Sequence, residues 1–497
     1  MFFRQLTDPA FAQLSYVIGC RATGEAVVVD PVRDVDQYID LAAREGFRIA
    51  TVTETHIHDD YCSGARELAF RTGASLLLSG CGDESARYEF AQGPCWDTLV
   101  EGNTIRIGNV RLSVLHTPGH APEHIAFLVS EQAASNLPVG LLCGDFLCVG
   151  DVPWPEHFAG ADPLHSAEAR ARTHFKALQR LRTLPDHLQL WPAHQHGTTT
   201  ARAPRECPQS TLGYERRTNW ALRVQDDDEF VRTLLADMPV PHPYFAVVKA
   251  MNRVGPVVLG GLPDVPHRSG YEAQLWHEKH GLVVDARDES AFALAHLDGS
   301  LSVPGNATFA SWFASLIRFD TDIWLLVDDE RQGVRLVREL MAVGFDRITG
   351  VSLAADALDG AEPAQLCSRS AQSLSGAIGR PGLTVLDVRT EPEWAAGHLA
   401  GALHIPLGEL PQRLEELPLD GTLISVCSDG ARSVIAASLL LLAGATSVEN
   451  LSGGMEAWRD IGGPLSTDAA PAQPRERRAG VATAEIPPFL DRRCVER

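Results

Sequence analysis

A chain of 497 residues is too long for one ordinary hydrophobic core and is expected to divide into two to four domains. Its formal charge of −21 provides no basic surface for nucleic acid or an anionic membrane, and both are excluded as partners. No apolar run reaches the roughly 18 residues that a membrane span requires.

Polar and acidic interruptions in residues 1–20 do not read as a signal peptide, and the ten cysteines are dispersed. Reduced thiols in a cytoplasmic setting are the expectation. The N-terminal half alternates strand-like runs (26–29, 49–53, 110–115, 125–129, 140–143) with helical stretches at 36–45 and 161–184. A sheet-rich layer structure covered by helices is expected over 1–240.

Metal-competent residues gather where these strands end. THIHDDYCSG follows the strand at 49–53 and brings His56, His58 and Asp60 into one turn. His120 in TPGH, Asp145 in CGD and His194 in PAHQH stand after later strands. A lone histidine is more often structural, but six such groups at strand ends point to a metal centre.

Pro- and Gly-rich residues 241–266 are expected to form a linker. Beyond it, 283–304 aligns without a gap on 385–406, with identities at Asp285/Asp387, Arg287/Arg389, Glu289/Glu391, His296/His398, Gly299/Gly401 and Pro304/Pro406. This internal repeat divides the C-terminal half into units at 267–362 and 370–465, each alternating strands with helices. A loosely ordered tail is expected over 466–497.

In the second unit a strand at 422–426 runs into Cys427, within TLISVCSDGARS, and a helical run follows at 433–443. Loop amides and the helix N-terminus favour an anionic sulfur there. Arg432 adds a fixed charge that could grip a sulfonate, and Gly430 suits a sharp turn. Ser428, Gly430 and Ser433 are the candidate substrate-loop residues. The first unit has no cysteine, and Asp328-Asp329-Glu330 follow its corresponding strand. It reads as an inactive copy.

Through THxHxD, TPGH, the glycine-preceded Asp145 and His194, the N-terminal half resembles the metallo-β-lactamase superfamily. The C-terminal half resembles rhodanese domains through VLDVR, CxxGxRS and NLSGGMEAW. With VGDV at 149–152, LQLWPAH at 188–194, STLGYERRTNWAL at 210–222 and YFAVVKAMNRVGP at 244–256, nearly the whole chain is similar to persulfide dioxygenase–rhodanese fusions. The implied architecture is α/β and multidomain: an αββα metallo-β-lactamase sandwich followed by two α/β rhodanese-like domains with parallel sheets.

The resemblance implies one Fe(II), held by His56, His120 and Asp145, with zinc as the alternative. His58, Asp60 and His194 then become supporting residues or weaker ligands of a second metal. A histidine usual in the superfamily after the aspartate is Tyr61 here, a poor zinc ligand. The implied activity is oxidation of a low-molecular-weight persulfide, such as glutathione persulfide, by O2 to sulfite and thiol in sulfide detoxification. Cys427, with Arg432, would couple this to sulfur transfer involving thiosulfate or sulfite. Its six-residue loop to Arg432 is one residue shorter than that of the similar phosphatases. The alternative is a glyoxalase II-like zinc thioester hydrolase fused to a sulfur carrier. Pro153 and Trp154 stand where the resemblance expects an arginine near the substrate. Self-association into a homo-oligomer is left open.

Overall fold

The computed structural model describes residues 1–90, 96–156, 166–236, 238–279 and 281–467. It divides into two compact units, one built on Met1–Pro263 (with Met341–Gly344) and one on Asp264–Leu340 and onward from Phe345.

In the first unit, β1 (Phe2–Asp8), β2 (Gln13–Cys20), β3 (Glu25–Val29), β4 (Arg48–Thr53), β5 (Ser75–Ser79) and β6 (Trp96–Leu99) form one sheet in sequence order. Its first two pairings are antiparallel and the rest parallel. The second sheet runs in the order β12-β11-β10-β9-β8-β7. Its strands are β7 (Thr104–Ile107), β8 (Val110–His116), β9 (Ile125–Glu131), β10 (Pro138–Gly144), β11 (Gln189–Pro192) and β12 (Ser210–Thr211).

The period of two along each strand explains the four layers. Tyr16, Ile18, Val27 and Val29 meet Val114, Phe127 and Val129 in a core between the sheets. Their neighbours Val17, Ala26 and Val28 face Tyr38, Leu41 and Leu68, beneath helices Asp36–Glu45 and Ala65–Thr72. Strands covered on both faces are largely apolar, with Gln13 and Ser15 the buried polar exceptions in β2. The helix expected over 161–184 is shorter. It starts at Ala167, where the Ser166 side chain accepts the Ala169 N–H, and gives way at Arg180 to a 3₁₀ turn ending at Thr183. Residues 161–165 lie outside the described residues.

The segment expected as a linker contains helix Tyr244–Val254, which belongs to the first unit. It is fixed there by Asn252, whose Nδ2 donates to the carbonyls of His58 and Tyr61 at 2.8 Å each. Flanking prolines and glycines hid an ordinary amphipathic helix.

The second unit holds two parallel sheets. The first contains β13 (Leu282–Asp285), β14 (Leu301–Ser302), β15 (Ile323–Val327) and β16 (Ile348–Leu353), in the order β14-β13-β15-β16. The second contains β17 (Cys367–Arg369), β18 (Leu383–Asp387), β19 (Leu403–His404), β20 (Thr422–Val426) and β21 (Ser447–Leu451), in the order β17-β21-β20-β18-β19. The sequence repeat is thus a repeat of topology, with β19-β18-β20-β21 matching β14-β13-β15-β16.

Helix Ala431–Leu442 follows β20 and is apolar on nearly every side. It packs against its own sheet and against β14 of the first copy, where Ser302 N–H donates to Ser438 Oγ at 3.0 Å. The expected tail begins in structure: Ser466 exchanges two backbone hydrogen bonds with His398, at 2.8 and 2.9 Å. Residues 468–497 lie outside the described residues. Among the described residues, no helix is long and apolar enough to cross a membrane.

Candidate metal centre and cysteine loop

Four turns leave the strand ends of the first unit and converge. His56, His58 and Asp60 follow β4, His120 follows β8, Asp145 follows β10 and His194 follows β11. His56, His120 and Asp145 are only 1%, 3% and 1% exposed, and each offers a ligand atom within 4.8 Å of the others. Those atoms are His56 Nε2, His120 Nε2 and Asp145 Oδ2. None of the three has a hydrogen-bond partner. A buried polar atom without a partner costs roughly 1–3 kcal/mol, so three converging on one point call for an electrophile.

The far side of each ligand is held. The Thr55 hydroxyl donates to Asp30 and therefore accepts Nδ1–H of His56, at 3.0 Å. The Trp154 carbonyl accepts Nδ1–H of His120 at 2.6 Å. Both tautomers leave the Nε2 lone pair facing the centre. Burial, reinforced by neighbouring His58, pushes His56 well below the ordinary histidine range and keeps it a neutral donor. Although burial opposes it, His194 holds the Asp145 carboxyl below its ordinary range.

The supporting residues have other duties. His194 lies between two carboxylates, Nδ1 on Asp145 Oδ1 at 2.7 Å and Nε2 on Asp60 Oδ2 at 2.8 Å. Burial opposes its charge, but these acids raise it well above the ordinary range, so both nitrogens carry protons. His58 is raised to about 9 against burial by Asp30, which lies 3.2 Å from its Nε2. Tyr61 is fully buried, accepts a hydrogen bond from Gln13 at 3.2 Å and lies against the His58 ring at a tilt, centroids 4.4 Å apart. Beside this turn, Cys62 Sγ receives an Arg33 Nη1–H at 2.8 Å.

Several contributors carried no motif. Asp30 follows β3 at φ 52, an uncommon conformation for a non-glycine residue, and accepts the Thr55 N–H at 2.7 Å. His124 Nε2 accepts the Asp145 N–H at 2.9 Å. Glu123 Oε1 accepts the Ile57 N–H at 3.0 Å. Where an arginine was expected, Pro153 bridges Ala201 and Trp154 supplies its carbonyl to His120. A half-buried cation close by, Lys249, is bonded to Glu156.

In the second unit, Cys427 stands between β20 and helix Ala431–Leu442 and is fully buried. Its Sγ receives the Gly430 N–H at 3.1 Å and lies 3.3 Å from Ser433 Oγ. Gly430 has φ 109, the turn its residue type predicted. Arg432 and Ser428 both engage Glu393: Nη2 and Nη1 meet its two oxygens at 2.6 and 2.9 Å, and Ser428 Oγ donates at 2.7 Å. Arg432 is therefore held by a carboxylate that the loop motif did not announce. The only local signal for Glu393 was a capping box with Thr390. Below the loop, the Met455 N–H donates to the Cys427 carbonyl at 2.8 Å.

A family model described as the metallo-beta-lactamase superfamily matches residues 8–194, and one described as a rhodanese-like domain matches residues 370–461. A hydroxyacylglutathione hydrolase of Nitrosococcus oceani is 29% identical over 253 residues, covering 50% of this chain and 82% of that protein. The mitochondrial persulfide dioxygenase ETHE1 of Mus musculus is 26% identical over 259 residues, covering 51% of this chain and 89% of that protein. Among solved structures, a metallo-beta-lactamase from Staphylococcus aureus subsp. aureus COL is 34% identical, with a TM-score of 0.63, and covers 71% of this chain and 98% of its own.

Proposed function

The chain belongs to the metallo-β-lactamase superfamily and carries a C-terminal rhodanese-like domain, and from that premise we propose an iron-dependent persulfide dioxygenase coupled to sulfur transfer. The reading rests on one observation above all: the unpartnered, buried Nε2 of His56, Nε2 of His120 and Oδ2 of Asp145. Two imidazoles and one carboxylate suit Fe(II) with positions left open. His194, protonated between Asp60 and Asp145, and the buried Tyr61 are poor ligands for a second metal, which favours a mononuclear centre. The persulfide dioxygenase relative supports the same reading.

Iron(II) held there would supply the one-electron chemistry that lets O2 react with a sulfur nucleophile. The chain's own residues do the positioning. The Trp154 carbonyl and Thr55 hydroxyl fix the two imidazoles, and His194 clamps Asp145 from behind. In balance, a persulfide R–S–SH, O2 and one water give R–SH and sulfurous acid, ionised to sulfite at neutral pH. Cys427 would then carry sulfane sulfur between small sulfur compounds, in a cytoplasmic setting.

Metal analysis of the purified chain, with oxygen uptake on glutathione persulfide, tests the reading. About one iron per chain and persulfide-dependent uptake are expected; stoichiometric zinc with no uptake defeats it. A zinc thioester hydrolase of the glyoxalase II type is the second reading, favoured by the hydroxyacylglutathione hydrolase relative. Hydrolysis of S-lactoylglutathione by the zinc-loaded chain, without oxygen uptake, would establish it.

A further inference from the structure

We propose that Glu393 selects the sulfur donor of Cys427 by neutralising Arg432, so that the loop takes sulfur from an organic persulfide in preference to thiosulfate. This rests on the reading of Cys427 as a sulfur carrier. The guanidinium presents two parallel N–H groups to Glu393, at 2.6 and 2.9 Å, which is the fork a sulfonate would need. Nη2 also donates to Ser428 Oγ at 3.1 Å. The sulfur's nearest acid is Asp429, whose Oδ1 is 3.5 Å from Sγ. One cation therefore faces two carboxylates before the thiolate itself is counted.

Glu393 belongs with the catalytic loop. The offset that aligns Asp387 on Asp285 puts Ala291 at its position in the copy without a cysteine. Burial works against its ionisation, yet the Arg432 hydrogen bonds hold its carboxyl well below the ordinary range, so the pair persists across neutral pH. Both groups stay within reach of a ligand, the Glu393 side chain 33% and that of Arg432 21% exposed. Thiosulfate concentrates two negative charges beside the attacked sulfur and must displace Glu393 to be gripped. An organic persulfide brings one charge on its terminal sulfur and needs no sulfonate site.

In the transfer the Cys427 thiolate attacks the terminal sulfur of R–S–S⁻. The bond from that sulfur to R–S breaks, an S–S bond to Sγ forms, and the electron pair leaves on R–S⁻. Two negative charges enter and two leave, on Cys427–S–S⁻ and R–S⁻, with no outside oxidant or reductant.

The test uses the full chain, glutathione persulfide or thiosulfate as donor, cyanide as acceptor and Cys427→Ser as the blank. For the wild type, kcat/KM should favour the persulfide by at least about tenfold. Glu393→Gln retains a side chain able to cap the Thr390 N–H. It should lower the KM for thiosulfate about tenfold relative to that for the persulfide, and flatten the fall in thiosulfate KM that added salt produces in the wild type. Thiosulfate as the wild type's better donor, or a thiosulfate KM unmoved in Glu393→Gln, overturns the assignment. Should that variant fail to fold, Asp429→Asn carries the test: its thiosulfate KM should fall several-fold, and an unchanged value is equally fatal. Absence of Cys427-dependent thiocyanate from either donor would instead defeat the reading of Cys427 as a sulfur carrier.

Discussion

The two copies in the C-terminal unit share a frame and differ at one loop. In each, an arginine chelates an aspartate two residues earlier: Arg287 meets Asp285 at 2.6–3.2 Å and Arg389 meets Asp387 at 2.6–3.1 Å. In each, a histidine stacks on the aromatic ring four residues before it, His296 on Phe292 and His398 on Trp394. The difference lies after the third strand of each copy. Cys427, Ser428, Asp429 and Gly430 separate β20 from its helix, whereas Asp328 and Asp329 alone separate β15 from the helix that starts at Glu330. Two residues fewer leave no arc of backbone to surround a sulfur, and the Asp328 N–H is already taken by Gln332 Oε1 at 2.7 Å. Loss of the nucleophile and shortening of its loop go together, while the frame that carries them persists.

Removing the nucleophile gives the sharpest contrast. Cys427→Ser should reduce sulfur transfer at least about a thousandfold while oxygen uptake in the first unit is retained, measured as thiocyanate production beside an oxygen electrode. Residual transfer near the wild-type rate would mean that the copy without a cysteine is not silent. Next in size is the frame. Arg389 is only 1% exposed, so Arg389→Ala, which strands Asp387, should cost about 3–5 kcal/mol in denaturant unfolding. Arg287, at 12% exposure, should cost less when replaced in the same way. Equal losses would mean that the two frames are energetically alike. A Cβ on Gly454, at φ 55, would lie 2.5 Å from the Cys427 carbonyl oxygen. Gly454→Ala should therefore lower stability by about 1–3 kcal/mol and slow transfer, without affecting oxygen uptake. The smallest effect concerns the seam: Ser438→Ala leaves the Ser302 N–H without its acceptor, and a loss near 1 kcal/mol in the same assay is expected.

The features legible in the sequence were those repeated or made of chemically unusual residues. Asp387, Arg389 and His398 were visible because their contacts are local and occur twice. His56, His120 and Asp145 were visible because a metal needs scarce residue types at strand ends. Their supports were harder to see. Asp30 and His124 act through contacts to residues about 20–30 positions away, Asp30 on Thr55 and His58 and His124 on Asp145, which leave no period in the sequence. Helix Tyr244–Val254 was masked by prolines and glycines at its flanks, although Asn252 reaches back to the turn that carries His56 and His58. Glu393 lies 39 residues from Arg432, and its capping box advertised only a helix start. Local pattern thus exposed the groups proposed for the chemistry, and long-range pairing concealed those that surround them.

Helix Ala431–Leu442, apolar on nearly every side, bears on the layout of the duplicated half. The copy without a cysteine supplies β14 as a wall for the helix that begins beside Cys427. That copy covers a surface: in its absence the β14-facing side of the helix that follows Cys427 would be wetted.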